Sequence, residues 1–427
     1  MINVIKQTIA QVRAQKMLSI ISVVGTALSI FLIMVVVMLQ QVKVVPFSPE
    51  SNRDRFLHAK YGSVHVTNGE DWESNGFISY ATAKALYAGL KTPEAVTVYT
   101  PYNMTVNISQ AAQTAIPVKQ MQTDDVFWRV FDFVFIDGKP YDAATFDAAI
   151  PVVVISESVS RQLFGTTEVT GRQVMIDHTP FSVAGVVKDV STLASMSYAQ
   201  IWVPFTVTGL DKSSWQQGIM GSLGATILAR SRDDFDDIRA ECDAALKKYN
   251  KEIEPTQWEL VSRNRPYDQE KQVISDSSNF EPDVKGARRT RFIIYLILLI
   301  VPAINLSGMT ESRLRKRVEE IGVRRAFGCR RSELFTAILS ENLLLTLFAG
   351  AIGWLLSVTF AWLCSSFLFA QPYSDASVAP TVDIAMLVQP STFLWALLFC
   401  FILNLLSSGL PAWKASRISL VNAINAK

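Results

Sequence analysis

The chain has 427 residues, of which 49% are hydrophobic and only 18% charged. It is too long for one ordinary domain and too poor in charge for a wholly soluble one. A formal net charge of +2 gives no ground for expecting nucleic acid as a partner.

Ile2 to Met17 places Ile2, Ile5, Ile9 and Val12 on one side of a helix, with Lys6, Arg13 and Lys16 elsewhere. This pattern predicts an amphipathic helix (1–16) lying on the inner leaflet. Met17 to Leu39 is 23 residues without a charge, and about 20 helical residues cross the hydrocarbon core. Residues 17–41 are therefore the first span. The following QQVKVVPF is a poor cleavage site, so the span is expected to stay as an anchor.

Residues 42–287 alternate strand-like runs (SVHVT, AVTVYT, PVVVIS, FSVAGVVKDV, ATILAR) with helix-like ones (Ser156 to Phe164, Arg232 to Tyr249). A large α+β domain follows, with room for two lobes. Phe127, Trp128, Phe131, Phe133 and Phe135 are expected in its core. Asp233, Asp234, Asp236 and Asp237 read as a helix start, where carboxylates meet the positive dipole end. The cysteines (Cys242, Cys329, Cys364, Cys400) show no metal-ligand spacing and no disulfide is expected. His58, His65 and His178 are too few to found a histidine site. No spacing supports a catalytic or metal site.

Residues 288–310 form the second span, with Pro302 as a kink. Residues 311–333 carry Arg313, Arg315, Lys316, Arg317, Arg324, Arg325, Arg330 and Arg331. Leu314, Val318 and Ile321 at i, i+4 and i+7 make one apolar stripe. Arg315–Glu319 and Glu320–Arg324 are spaced for ion pairs of a few tenths of a kcal/mol. Gly322 weakens the middle and Gly328 is a stop. From these residues alone the segment is either a docking helix or an interfacial one whose arginines snorkel to anionic headgroups.

Residues 334–370 form a third span longer than one crossing needs. Glu333, Glu341 and Asn342 lie in its first turns, and Glu341 is expected to reach the headgroups or pair with a nearby arginine. Asn305 and Asn404 are expected to make interhelical hydrogen bonds. A connection at 371–390 has no Lys or Arg, residues 391–411 form the fourth span, and 412–427 is a tail carrying Lys414, Arg417 and Lys427. The positive-inside rule puts both termini and the 311–333 segment in the cytoplasm, with the large domain outside. Lys285, Arg288, Arg289 and Arg291 run against the rule, which long translocated domains obey weakly. Ala349, Gly353 and Ser357 on the third span, and Gly25, Ser29, Ser22 and Thr26 on the first, form small-residue faces. Such faces serve packing within one chain or a dimer interface, and a dimer interface is the expectation here.

One span, a large domain, then three spans resembles permeases of the MacB/FtsX superfamily. FDFVFIDGKPYDAATFDAAIPVVVISESVSRQLFG and TGRQVMIDHTPFSVAGVVKDV are similar to the MacB-type periplasmic core domain. RKRVEEIGVRRAFGCRRSELFTAILSENLLLTLFAGAIG resembles the family's permease segment, and PAWKASRISLVNAINAK its closing motif. The fold implied is four transmembrane helices plus a large α+β extracytoplasmic domain inserted between helices 1 and 2. The resemblance implies a mechanotransmitting ABC system in the bacterial inner membrane. A cytoplasmic ATPase dimer, binding ATP and Mg, would drive two permease chains, identical or different. Glu320, Ile321, Gly322, Arg324, Arg325, Ala326 and Gly328 would form the element that docks on the ATPase. The chain has no G-x-x-x-x-G-K-[ST] loop, so the ATPase is expected on a separate chain, leaving this one non-catalytic and without a cofactor. Export or extraction of an amphiphilic substrate is expected, with a periplasmic adaptor or outer-membrane channel as a further partner. The alternative is a regulatory permease acting on a sensor kinase or cell-wall hydrolase. A passive membrane anchor is disfavoured, since it needs one span and no eight-base connection.

Overall fold

The computed structural model describes residues 16–69, 72–110, 113–275, 277–369 and 382–417. The expected amphipathic helix before Lys16, most of the 371–390 connection and the end of the tail lie outside these residues. The chain divides into two compact units, one built on the long apolar helices and the other on Lys43–Val284.

In the first unit, helices Lys16–Gln41, Val284–Arg315, Arg331–Leu363 and Pro390–Ser416 are each long and apolar enough to cross a membrane. Local chemistry sets their ends. Glu333 accepts the Arg330 N–H at 3.0 Å to start the third helix, and Pro390 occupies the first turn of the fourth, where its missing N–H costs nothing. The second span, expected over 288–310, belongs to a helix of 32 residues that keeps Pro302 inside it. It presents Phe292, Ile297, Val301 and Ile304 outward, each more than half exposed.

The third helix packs against the first through small residues. Ala349, Gly353 and Ser357 are buried within the single chain. A Cβ added at Gly353 would stand 2.5 Å from the Ala27 carbonyl oxygen and 3.1 Å from Ile30 Cβ. Close backbone approach in lipid requires such residues. Ser22 and Thr26 are buried too, with the Thr26 hydroxyl donating to the Ser22 carbonyl at 2.8 Å. A Cβ added at Gly25 would stand 3.8 Å from Leu306 of the second helix, and the Ser29 hydroxyl donates to the Gly25 carbonyl at 2.7 Å. Within the single chain these faces pack helix on helix. Asn404 Nδ2 donates across to the Leu339 carbonyl at 3.4 Å.

The inserted unit is an α+β domain. Its strands are β1 Phe56–Ala59, β2 Gly62–Val66, β3 Glu73–Ile78, β4 Ala95–Tyr99, β5 Met104–Ser109, β6 Ile116–Thr123, β7 Phe135–Gly138 and β8 Val152–Ser156. After these come β9 Gln173–Ile176, β10 Thr179–Val187, β11 Ile201–Pro204, β12 Met220–Gly221, β13 Gly224–Leu228, β14 Trp258–Val261 and β15 Tyr267–Asp268. In the larger sheet, β11, β8, β10, β9, β5 and β6 pair in order, and β6 pairs back to β11, closing a ring. Strands β4, β13, β1 and β15 extend it, while β12, β3, β2 and β14 form a second sheet. Two lobes result. Val153, Ile155, Val183 and Ile201 fill the ring because β-branched residues pack well on a pleated surface. Phe127 and Phe131 lie in the adjoining core, with Trp128, Phe133 and Phe135 packed on it.

Helix Glu157–Phe164 ends on Gly165 at φ +71, a left-handed position that favours glycine. Ahead of helix Phe235–Ile253, Asp234 accepts the Ser231 N–H at 2.9 Å, and Asp236 and Asp237 occupy the first turn. All four cysteines carry free thiols.

Candidate functional site

The basic segment between the second and third spans folds as a separate short helix, Val318–Ala326, after a turn at Lys316 and Arg317. That turn corrects two expectations. Leu314 and Ile321 do not share one helix, and Arg315 pairs back to Glu311 at 3.0 Å rather than forward to Glu319. Two of the three stripe residues still converge, because Leu314 and Ile321 join Leu334, Ile338, Ala412 and Ala415 in one buried cluster, which Val318 does not enter. The linker helix is thereby packed on the ends of the second, third and fourth helices.

Arg317 is the electrostatic hub. Its Nε and Nη2 donate to the Glu320 carboxylate at 2.9 and 3.2 Å, and its Nη1 donates to Glu341 at 3.0 Å. Glu341, with its side chain 6% exposed, thus pairs with an arginine, one of its two expected outcomes. Arg324 Nη2 reaches Glu320 at 2.7 Å, the pairing its spacing implied. The hydrogen bond from Arg317, reinforced by Arg324, holds the Glu320 carboxyl below the usual carboxylate range despite partial burial. Arg325 donates to the Ser416 carbonyl at 3.4 Å. Arg313 Nη2 donates to Asn342 at 3.2 Å.

Of the expected coupling residues, Ile321 and Gly322 face inward and are buried, and Arg324 and Arg325 are half-buried in internal contacts. Glu320, Ala326 and Gly328 are exposed. Gly328 turns the chain at φ +90, as a helix stop requires. Sequence reasoning missed the outer face. Val323 is 55% exposed and Phe327 89% exposed, and with Glu319 and Ala326 they form a stripe opposite Ile321.

Two buried polar clusters in the inserted unit also escaped the sequence. Glu50 and Arg53, both almost wholly buried, pair at 2.7 Å. Glu50 accepts the N–H groups of Met196 and Ser197, and Arg53 donates to the carbonyls of Val45 and Leu193. Together they fasten the segment after Lys43 to the loop before β11. His58 sits in a second relay. Gln269 Nε2 donates to the Lys43 carbonyl at 2.9 Å, so its Oε1 accepts, which makes His58 Nε2 the donor at 2.9 Å. Nδ1 of His58 then accepts from Thr226, which accepts from Tyr99. Burial lowers the His58 pKa to about 4.

Comparisons with known proteins agree with this anatomy. Residues 292–420 match the description "FtsX-like permease C-terminal", and residues 19–245, more than half of the chain, match "MacB-like periplasmic core domain". The "Uncharacterized ABC transporter permease YknZ" of Bacillus subtilis strain 168 is 24% identical over 315 residues, covering 70% of this chain and 68% of that one. The "Macrolide export ATP-binding/permease protein MacB" of Escherichia coli K12 is 24% identical over 305 residues, covering 70% of this chain and 42% of that one. The chain therefore spans less than half the length of the MacB exporters it matches. A solved permease domain from Porphyromonas gingivalis aligns at 18% identity and a TM-score of 0.37, covering 56% of this chain and 97% of that one. With a core-domain match over most of its first half and a permease match behind it, the chain belongs to the MacB/FtsX family of ABC transporter permeases.

Proposed function

We propose that the chain is the permease subunit of a mechanotransmission system, driven by an ATPase dimer on separate cytoplasmic chains that binds ATP and Mg. The observation that carries this reading is the linker helix, which joins a buried cluster and an arginine hub on its inner side to a bare Val323–Phe327 stripe on its outer side. A helix so fixed to three spans moves with them, and an exposed apolar stripe is what a docking partner would grip. The charge distribution supports a cytoplasmic side for this helix and both termini, and membership of the family supports a bacterial inner membrane with the inserted unit in the periplasm. Two permease chains work together, and the moving domain extracts or exports an amphiphilic substrate in concert with a periplasmic adaptor or outer-membrane channel. Catalysis stays in the partner ATPase.

The test is isolation of the native complex with mass spectrometry of what travels with it. The double variant Val323→Glu, Phe327→Glu is expected to insert normally, keep its unfolding midpoint and lose the ATPase. Retention of the ATPase would count against the docking face, and isolation of the unaltered chain without any nucleotide-hydrolysing companion would sink the whole reading.

A further inference from the structure

Strands β2, β3 and β14 and helices Tyr80–Tyr87 and Phe235–Ile253 line a cavity inside the inserted unit. Its walls are largely apolar, with Ile78, Leu86, Leu246 and Leu260, and it leaves about 30 Å³ for water-sized groups. At roughly 15 Å³ for each such group, that is space for about two oxygen atoms.

Arg265 lines this cavity and is only 6% exposed. Its Nη2 donates to the Ser278 carbonyl at 2.8 Å, and the rings of Tyr61 and Tyr267 flank the guanidinium at 5.9 and 5.3 Å. Its Nη1 is buried and has no hydrogen-bond partner among the described residues. Nor does a carboxylate among the described residues neutralise it there: Glu281, which feels the charge, is bonded to Lys271 and Asn264 instead. Tyr87 lines the same cavity, is 8% exposed, and its hydroxyl makes no hydrogen bond among the described residues. A guanidinium withdrawn from water without an anion or a full set of acceptors is costly, and a fold that keeps one beside an unfilled space leaves a place for an acceptor.

We propose that this cavity takes the carboxylate head of an aliphatic chain, with Arg265 Nη1 and the Tyr87 hydroxyl as donors, while the chain itself runs out past Leu246 towards the exposed Asp243. Two donors match the two oxygens of one planar carboxylate. An ammonium is repelled by the guanidinium, and an alcohol brings no charge to answer it. The Asp243 carboxylate stands at the exposed rim, where solvent screens it. The site needs no ATPase and does not depend on the transport reading.

The full-length protein in detergent tests this with hexanoate as the probe, and hexanol and hexylammonium as controls of equal length. Unfolding midpoints followed by tryptophan fluorescence are expected to rise saturably with hexanoate alone. Arg265→Gln is expected to weaken the response at least tenfold and Tyr87→Phe several-fold. Should Arg265→Gln fail to fold, Leu246→Trp keeps the guanidinium, fills the apolar wall and is expected to abolish the response. An equal rise with hexanol, an unchanged response in Leu246→Trp, or no response in the unaltered chain, meaning a cavity that holds water only, would each overturn the proposal.

Discussion

Arg317 shows how much one side chain carries where charge is withdrawn from solvent. It bonds two carboxylates, and one of them, Glu341, is almost fully buried. Removing one partner of a buried pair leaves the other uncompensated, which costs about 3–5 kcal/mol. Arg317→Ala is therefore expected to lower stability by about 3 kcal/mol, and adding Glu341→Gln to recover part of that loss; equal unfolding midpoints for the single and double variants would remove the hub. Charge reversal at Arg324 and Arg325, the obvious test from sequence, perturbs internal contacts to Glu320 and Ser416 as well as the surface. It is expected to lower stability and partner retention together.

Two buried residues of the inserted unit give a pH dependence of opposite sign. Burial lowers the His58 pKa to about 4 from an unfolded value near 6.5, so its contribution is present above pH 6.5 and lost as pH falls through 4. Burial raises the Asp124 pKa to about 7 against the bonds it accepts from Thr97 and the Val98 and Phe127 N–H groups. Its contribution is present below about pH 4 and lost as pH rises through 7. Between pH 4 and 6.5 the two slopes oppose one another. His58→Gln is expected to make stability fall with rising pH over that window, and Asp124→Asn to make it rise. Midpoints measured across pH 4–7 decide, and parallel curves for all three proteins would reject the assignment.

At the scale of elements, the fit between the first and third helices is set by backbone. A methyl group at Gly353 meets the Ala27 carbonyl and Ile30 Cβ, atoms that cannot step aside without moving the helix. At Gly350 the obstacle is the Cys400 thiol, a side-chain end that can be removed. Overpacking costs about 1–3 kcal/mol. Both Gly353→Ala and Gly350→Ala are expected to lower the midpoint, but Cys400→Ala should restore only the second. Equal rescue of both, or of neither, would show that the helices adjust differently.

The same scale explains the linker helix. Nothing in LRKRVEE contains Pro or Gly, so the helix break at Lys316 and Arg317 is invisible locally. It coincides with the hub, where Arg317 at the turn donates to Glu341 on the third helix at 3.0 Å.

For the whole molecule, membrane orientation is the property on which the proposed mechanism rests. In a cysteine-free background, Ile150→Cys, at a position 47% exposed in the inserted unit, is expected to react with an impermeant thiol reagent added outside. Phe327→Cys, at a position 89% exposed on the linker helix, is expected to react only after the inner face is opened. The reverse pattern would invert the topology and, with it, the side on which a partner ATPase can dock.

The four spans, the inserted α+β domain and the aromatic core could be read from sequence because each depends on a local run: charge-free stretches long enough to cross a bilayer, or alternating β-branched residues. The small-residue faces could be read as contacts but not as contacts with what, since spacing at i and i+4 is the same whether the neighbour is the first span or a second copy. Glu50, Arg53 and His58 carry no local sign of burial in the sequence. They are buried by groups far along the chain, Leu193, Ser197, Thr226 and Gln269, which no local pattern can anticipate. Likewise Phe327 is left bare while the opposite face of the linker helix is buried on the span ends. Sequence determined which segments prefer lipid, strand or helix; the tertiary structure alone decided which charges are paired away from water and which apolar side chains remain without a partner.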